Sequence, residues 1–507
     1  MKIDQETLRS VVEKVMADLG RSVPSSPSVA APSGAPNRPV QQASPSSAPR
    51  EKECGCHSGA GVKKGSYGVF ECVNAAANAA HDSFLQLKGL GLEGRSRVIE
   101  IVKGVCGANT ESWGAFELKE TRIGRLDHKV AKLEIMNKVP GVEWLRPYAL
   151  SGDDGITLEE YAPFGVVGAI LPVTHSVPTL TGNVINMVAA GNAVVFNPHP
   201  GGAKSAVMAA REYNRAIARE LGIENLICVI ENPSIESFEK ISRHELIAIM
   251  AITGGPAVVK AAMQSGKRSI CAGPGNPVVV VDETADLDRA ARNVIEGGAF
   301  DNNLLCIGEK AVFVVGSVYG RFLESMERAG AARLNSQQLD SLTKAAFTYR
   351  EDDGGCSHPV VNRDYVGASP GVLAKVAGAR VADSCELLFA EADAGHPYVQ
   401  EEQMMPLVPV ISAPDFETAV QQAKEAEHGY RHSAIIHSTN VDNMTYMGRE
   451  MDTTIYVKNG PCVAGLGLGG EGYLSYSVAT TTGEGITTPK TFTRVRRCVM
   501  VENLRIV

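Results

Sequence analysis

The chain has 507 residues, 44% of them hydrophobic and 21% charged, with a net charge of −8. That length suggests about three folded units of roughly 150 residues each, and the composition is that of an ordinary globular protein. With no long Lys/Arg block and no apolar run near the roughly 18 residues of a membrane span, nucleic-acid and membrane partners are excluded as expectations.

The N-terminus carries early acidic residues and no apolar h-region, so it does not read as a secretory signal. The 11 cysteines are therefore expected as free thiols in a reducing, cytoplasmic setting. Residues 1–20 read as one amphipathic helix. Asp4 caps it, and Gln5 and Glu6 begin its first turn, where the helix dipole favours the glutamate. Leu8, Val11, Val12, Val15, Met16 and Leu19 form one apolar stripe, and Gly20 ends it. Residues 21–65 read as a disordered linker, since Ser, Pro and Ala dominate from Arg21 to Arg50. A helix on a tether cannot bury its stripe alone. It either docks in a groove on a partner, or folds back on its own body or pairs with its copy. Cys54, Cys56 and His57 close the linker without the second ligand pair a zinc site needs, and read as exposed thiols with no metal.

From about residue 66 helices alternate with short β-branched strands. Phe164–Leu171, Asn192–Asn197 and Leu246–Thr253 are apolar runs bounded by Gly or Pro. Such alternation predicts an α/β fold with βαβ units around a parallel sheet. The third run ends in Thr253, Gly254, Gly255 and Pro256 and enters a helix over 257–263. A glycine turn with proline at the first helical position makes a helix N-terminus that can accept a phosphate. A second strand-rich block runs from Pro277 through Lys310–Val315, Ser433–Ile436 and Thr454–Val457, and residues 491–507 alternate like a terminal strand or arm.

The segment Phe300-Asp-Asn-Asn-Leu-Leu-Cys-Ile-Gly-Glu-Lys310 places Cys306 just before a strand. A lone cysteine is more often a buried structural thiol than a nucleophile. Its company changes that reading: Ile170-Leu171-Pro172-Val173-Thr174, Ala189-Ala190-Gly191-Asn192 through Asn197-Pro198, Thr253-Gly254-Gly255, and Glu402-Gln-Met-Met-Pro406. In this order and spacing the set resembles the aldehyde dehydrogenase superfamily. Within it, the set is similar to the coenzyme A-acylating propionaldehyde and acetaldehyde dehydrogenases of bacterial microcompartments.

The resemblance implies an aldehyde dehydrogenase fold. A Rossmann-like NAD-binding domain would occupy 66–272, a catalytic α/β domain 273–459, and 460–490 would return to the first domain. A strand near 145–160 and residues 491–507 would form a small β oligomerisation arm. It also implies NAD and coenzyme A as cofactor and co-substrate, short aldehydes such as propionaldehyde, acetaldehyde or lactaldehyde, and a homodimer or homotetramer. Residues 1–20 would target the enzyme to a shell protein, placing it in a microcompartment lumen within the cytoplasm. Cys306 matches the nucleophile, and Thr174 stands at the position of the family's oxyanion asparagine. Glu402 matches the glutamate on the nicotinamide ribose. Asn197, Pro198 and His199 lie where the adenosine is expected; His199 either touches adenine or phosphate or packs the loop. Asn197 replaces the lysine of many relatives, so that contact does not separate NAD from NADP.

One departure is informative. Hydrolytic relatives carry a water-activating glutamate about 34 residues before the cysteine. Here the stretch reads Ile270-Cys271-Ala272-Gly273-Pro274-Gly275-Asn276, and no carboxylate occurs from Gln264 through Val281. Without a positioned base water is a poor nucleophile, whereas coenzyme A brings its own thiol. Cys271 either lines the substrate channel or packs. His428, His432 and His437 read as structural or surface residues. A hydrolytic enzyme giving free acid, and an inactive scaffold protein, are the two rival readings.

Overall fold

The computed structural model describes residues 66–351 and 357–507. The readings for the helix at 1–20 and for the linker with Cys54, Cys56 and His57 lie outside the described residues.

The apolar runs become the strands of two parallel sheets. The first runs in the order Val69–Phe70, Ile227–Ile230, Ala193–Pro198, Val166–Leu171, Ile247–Thr253, Arg268–Ala272. The second orders Ala332–Leu334, Leu388–Glu391, Leu407–Ala413, Ala311–Val315, Val278–Val281, Ser433–His437 and Ile455–Lys458. Strands such as Val166–Leu171 and Val278–Val281 are buried along their whole length, which explains why they read as continuous Val/Ile runs and not as alternation. The third sheet is antiparallel. Its two strands Tyr148–Gly152 and Gly155–Pro163 replace the single strand expected near 145–160, and Thr493–Val501 pairs with the longer of them. It leaves Tyr148, Leu150, Val495, Val499 and Val501 exposed.

Asn192 shows how local sequence fixes one of these turns. The helix Ser176–Ala189 ends just before Gly191, whose φ of 89° suits glycine and where a Cβ would strike the Arg95 guanidinium. The next side chain then staples the turn. Asn192 Oδ1 accepts from the Phe164 and Gly165 amides at 2.8 and 3.0 Å, and Nδ2 donates to Phe492 O at 2.9 Å. One buried amide therefore aligns two neighbouring strands and anchors the start of the C-terminal strand.

In the first sheet the chain moves outward in opposite directions from the central strand Val166–Leu171, toward Ala193–Pro198 on one side and Ile247–Thr253 on the other. The crevice at the carboxyl ends of such strands is where an open α/β sheet places its ligands.

Candidate active site

A cavity of about 990 Å³ opens at those carboxyl ends. Leu171 leads into Thr174, and Asn197, Pro198 and His199 follow the next strand. Thr253, Gly254 and Gly255 follow the third, and Ala272 and Gly273 the fourth. Cys306 and Glu402 reach the same cavity from the second sheet's side. All nine residues singled out from the sequence thus line one space.

At Gly254 and Gly255 a Cβ would meet nothing within 4 Å, so this wall is open backbone. Gly255 caps the helix Pro256–Met263, which begins one residue earlier than expected with Pro256 at its first position. Thr253 Oγ1 is tied to Ser477 Oγ at 2.8 Å, which brings the segment after residue 460 onto the first sheet. Asn197 turns its amide inward: Oδ1 accepts from Ser237 Oγ at 2.6 Å and Nδ2 donates to Ser234 O at 3.4 Å. His199 Nδ1 accepts from Gly201 N at 3.0 Å, leaving Nε2 as the protonated nitrogen of the neutral ring. Burial lowers its pKa, and Arg363, which lines the same cavity, lowers it further.

The segment before Cys306 is unusually constrained. Asp301, Asn302 and Asn303 have φ of 51°, 55° and 65° in succession. Each left-handed residue costs on the order of 1 kcal/mol, least for Asn and Asp, which is why these residue types stand here. Side-chain bonds hold the conformation. Asn302 Nδ2 donates to Gly367 O at 2.9 Å, and Asn303 Nδ2 to Gly298 O and Glu309 O at 2.8 and 2.9 Å. Buried Lys310 bonds the Asn303 side chain and donates to Asn303 O at 2.9 Å.

This scaffold presents Cys306 half-buried at the cavity. Burial and then the neighbouring Glu402 carboxylate push its thiol up to about 12, against the opposing pull of Lys310 and Lys132. Glu402 is itself pushed up to about 7 by burial, and Oε2 accepts from Gly275 N at 3.4 Å. The Glu-Gln-Met-Met-Pro turn around it is built from a left-handed Met404 (φ 49°) and a buried Gln403 that accepts from Met405 N at 2.6 Å.

Two sequence readings change. The stretch Gln264–Val281 lacks a carboxylate along the chain, yet Glu402 lies against it in space. His432, read as structural or surface, is buried and lines the cavity. Burial and Lys310 bring its pKa down to about 4, and Nδ1 is engaged by Ser433 Oγ at 2.8 Å, leaving Nε2 for the cavity. His437 is buried in its strand and His428 ends a helix, as structural residues do. Cys271 is fully buried and does not line the cavity, which favours packing over a channel role. His175, Arg363 and Tyr476 also line it, and no sequence motif marked them. Among the described residues no cluster of three or more His, Cys, Asp or Glu could hold a metal ion, and no helix is long and apolar enough to cross a membrane.

The family model for the aldehyde dehydrogenase family matches residues 56–347. An acetaldehyde dehydrogenase (acetylating), EutE, of Salmonella typhimurium is 41% identical over 442 residues, covering 87% of this chain and 94% of that protein. A propanal dehydrogenase (CoA-propanoylating) of Citrobacter freundii is 40% identical over 441 residues, again 87% of this chain and 94% of its own length. Among solved structures, the Rhodopseudomonas palustris propionaldehyde dehydrogenase with bound propionyl-CoA matches with a TM-score of 0.82 at 39% identity. That match covers 86% of this chain and 96% of the other. The propionaldehyde dehydrogenase from the Clostridium phytofermentans fucose utilisation bacterial microcompartment matches with a TM-score of 0.83 at 39% identity, over 87% of this chain and all of its own. Since the resemblance runs through both sheets and the cysteine segment alike, the chain belongs to the aldehyde dehydrogenase family.

Proposed function

We propose that the chain is an NAD-dependent, coenzyme A-acylating dehydrogenase of short aldehydes, working through Cys306. The observation that carries this reading is the single cavity joining Cys306 to the open glycine wall at Gly254 and Gly255. Acylating relatives nearly as long as the chain support the choice of acceptor.

In this reading the Cys306 thiolate attacks the aldehyde carbonyl to give a thiohemiacetal. The oxyanion is held by the Cys306 amide and the Thr174 hydroxyl. A bound nicotinamide supplies the hydride acceptor. Loss of hydride leaves an acyl thioester on Cys306. Coenzyme A sulfur then attacks that thioester, releases the Cys306 thiolate and leaves as acyl-CoA. His432 Nε2 is the side-chain acceptor that the cavity offers for the coenzyme A thiol proton; with a pKa of about 4 it is neutral and a weak base, assisting a thiol that already ionises in part. Glu402 would hold the nicotinamide ribose, a role that would engage its carboxylate away from water. The N-terminus of Pro256–Met263 with Thr253, Gly254 and Gly255 would receive the pyrophosphate. Pro198 and His199 border the adenosine; Asn197 serves indirectly, because its amide is spent on Ser234 and Ser237.

The same reading assigns 66–272 and 460–490 to the NAD-binding domain, 273–459 to the catalytic domain, and the antiparallel sheet to an oligomerisation arm. Its exposed Tyr148, Leu150, Val495 and Val499 suit burial in a homodimer or homotetramer. Residues 1–20 would dock on a microcompartment shell protein, which places the enzyme in that lumen, where a reactive aldehyde is confined. A relative from a microcompartment supports this setting.

The test is NADH production from acetaldehyde, propionaldehyde and lactaldehyde with and without coenzyme A. Without it, one NADH per active site should form in a burst followed by slow turnover; with it, acyl-CoA should form one-for-one with NADH. Coenzyme A brings a thiol intrinsically far more nucleophilic than water, so hydrolysis of the thioester should lag well behind acyl transfer. Free acid as the main product at full rate, unaffected by coenzyme A, would establish the hydrolytic rival. No NADH from any aldehyde would leave the scaffold reading.

A further inference from the structure

Behind the nucleophile segment lie four charged side chains with almost no solvent exposure: Glu117, Lys129, Lys132 and Asp301. The helix Leu126–Glu134 supplies most of the contacts to Asp301. Its cap Arg125 and residues His128, Lys129 and Lys132 are spaced to fall on one helical face. Arg125 N donates to Asp301 Oδ1 at 2.8 Å, and Lys132 forms a short ion pair with Oδ2. The Asp301 amide donates to His128 Nδ1 at 2.8 Å, and the His128 ring stacks on Phe300 with centroids 4.4 Å apart. Gly124 leaves the space, since a Cβ there would meet the Asp301 carboxylate at 2.1 Å. The first of the three left-handed residues before Cys306 is thus gripped through both its backbone and its side chain.

The cluster also reaches the facing wall. Lys129 Nζ lies 3.8 Å from Asp301 and 3.9 Å from Glu117. Glu117 Oε1 in turn accepts from Ser176 N at 2.9 Å, at the start of the helix that follows Thr174 and His175. Tyr476, in the cavity wall, donates to Lys132 O at 3.2 Å.

Desolvating four charges is costly, and apolar residues of similar volume in such places are often as stable or more so. Fold stability therefore does not account for the arrangement. We propose that Glu117, Lys129, Lys132 and Asp301 form a positioning cluster for the acyl-transfer chemistry. It fixes the Cys306 segment against the Thr174–His175 wall, and its charge balance acts on the reacting sulfur. The proposal rests on Cys306 being the nucleophile. The formal charges, two acidic and two basic, cancel. Lys132 is already among the groups that favour the Cys306 thiolate, beside Lys310 and against Glu402. Glu309 and neutral His432 also interact with Lys310, and His175 with the two lysines.

The experiment uses the full chain without cofactor, and reads iodoacetamide labelling of Cys306 by peptide mass at fixed alkaline pH together with steady-state kinetics. Asp301→Asn leaves the cluster net positive and should speed labelling. Lys132→Met leaves it net negative and should slow it. A buried unit charge on the order of 10 Å away moves a thiol titration by roughly one pH unit, worth about threefold in labelling rate once nucleophilicity is allowed for. Both variants should lose kcat on the order of 10²-fold with little change in KM for the aldehyde, as a misplaced nucleophile does. Labelling shifts of the same sign, no shift, or kcat within about twofold of wild type would overturn the proposal. A purely structural role would not give opposite signs. If Asp301→Asn fails to fold, Lys129→Met decides beside Lys132→Met: it removes an ammonium with ion contacts but no hydrogen bond. It must slow labelling, and an unchanged rate overturns the proposal. Cys306→Ala separates the two claims. Continued turnover in that variant would move the nucleophile elsewhere, while the labelling shifts would still report the field of the cluster.

Discussion

The thiol of Cys306 should be almost unreactive in the cofactor-free site. Burial and Glu402 push it up to about 12, whereas a free cysteine titrates near about 8.5. At pH 7.5 the thiolate fractions are then about 3 × 10⁻⁵ and about 10⁻¹, a ratio of about 3,000. Intrinsic nucleophilicity rises with basicity with a slope of about 0.4–0.5, which returns about 40-fold over that interval. Cys306 should therefore be alkylated about 50–120-fold more slowly than a free cysteine. The perturbation is Glu402→Gln, which removes the second-largest contribution to the raised value. It should speed labelling without cofactor, where the proposed contact to the nicotinamide ribose plays no part. The assay is iodoacetamide labelling of the Cys306 peptide across pH, with a small thiol as reference. A labelling rate at pH 7.5 equal to that of the reference thiol, or a plateau midpoint below about 9 without cofactor, would refute the reasoning. So would a Glu402→Gln variant no faster than wild type.

Two further outcomes follow from buried titratable groups. His432→Gln should keep the NADH burst and slow the coenzyme A-dependent steady state on the order of 10²-fold, as loss of a proton acceptor does; equal losses in burst and steady state would place His432 elsewhere in the mechanism. The Glu309 carboxyl, buried with Oε2 unpartnered, is pushed up to about 7 from its ordinary 4.5. Between those values the folded chain holds a proton that the unfolded chain releases. Stability should therefore fall as pH rises through that window, by roughly 3 kcal/mol at about 1.36 kcal/mol per pH unit. Thermal unfolding of Glu309→Gln between about pH 4.5 and 7.5 should show a flatter profile than wild type, and parallel profiles would contradict the assignment.

Much of the fold was legible from local pattern, because a strand buried on both faces announces itself as a β-branched run bounded by Gly or Pro. Phe164–Leu171 and Leu246–Thr253 matched their strands within two residues at the start and coincided at the end. The boundaries that moved did so at caps and hairpins. Pro256 joined its helix because its missing N–H costs nothing there. The reading near 145–160 split in two because the tight turn between Gly152 and Gly155 folds it into a hairpin.

By itself the sequence determined the parallel α/β architecture and the family. It also marked nine residues that line one cavity, since motif order and side-chain periodicity are properties of the chain alone. Only the tertiary structure decided what each of those residues faces. It set Glu402 beside Gly275, 127 residues away in sequence, and so put a carboxylate where the local sequence has none. It turned Asn197 inward and His432 toward the cavity. It also buried Lys129 and Lys132, which no motif in the sequence marked. The physical reason is that titration and orientation depend on desolvation and on neighbours brought together from distant elements, and no local spacing encodes either.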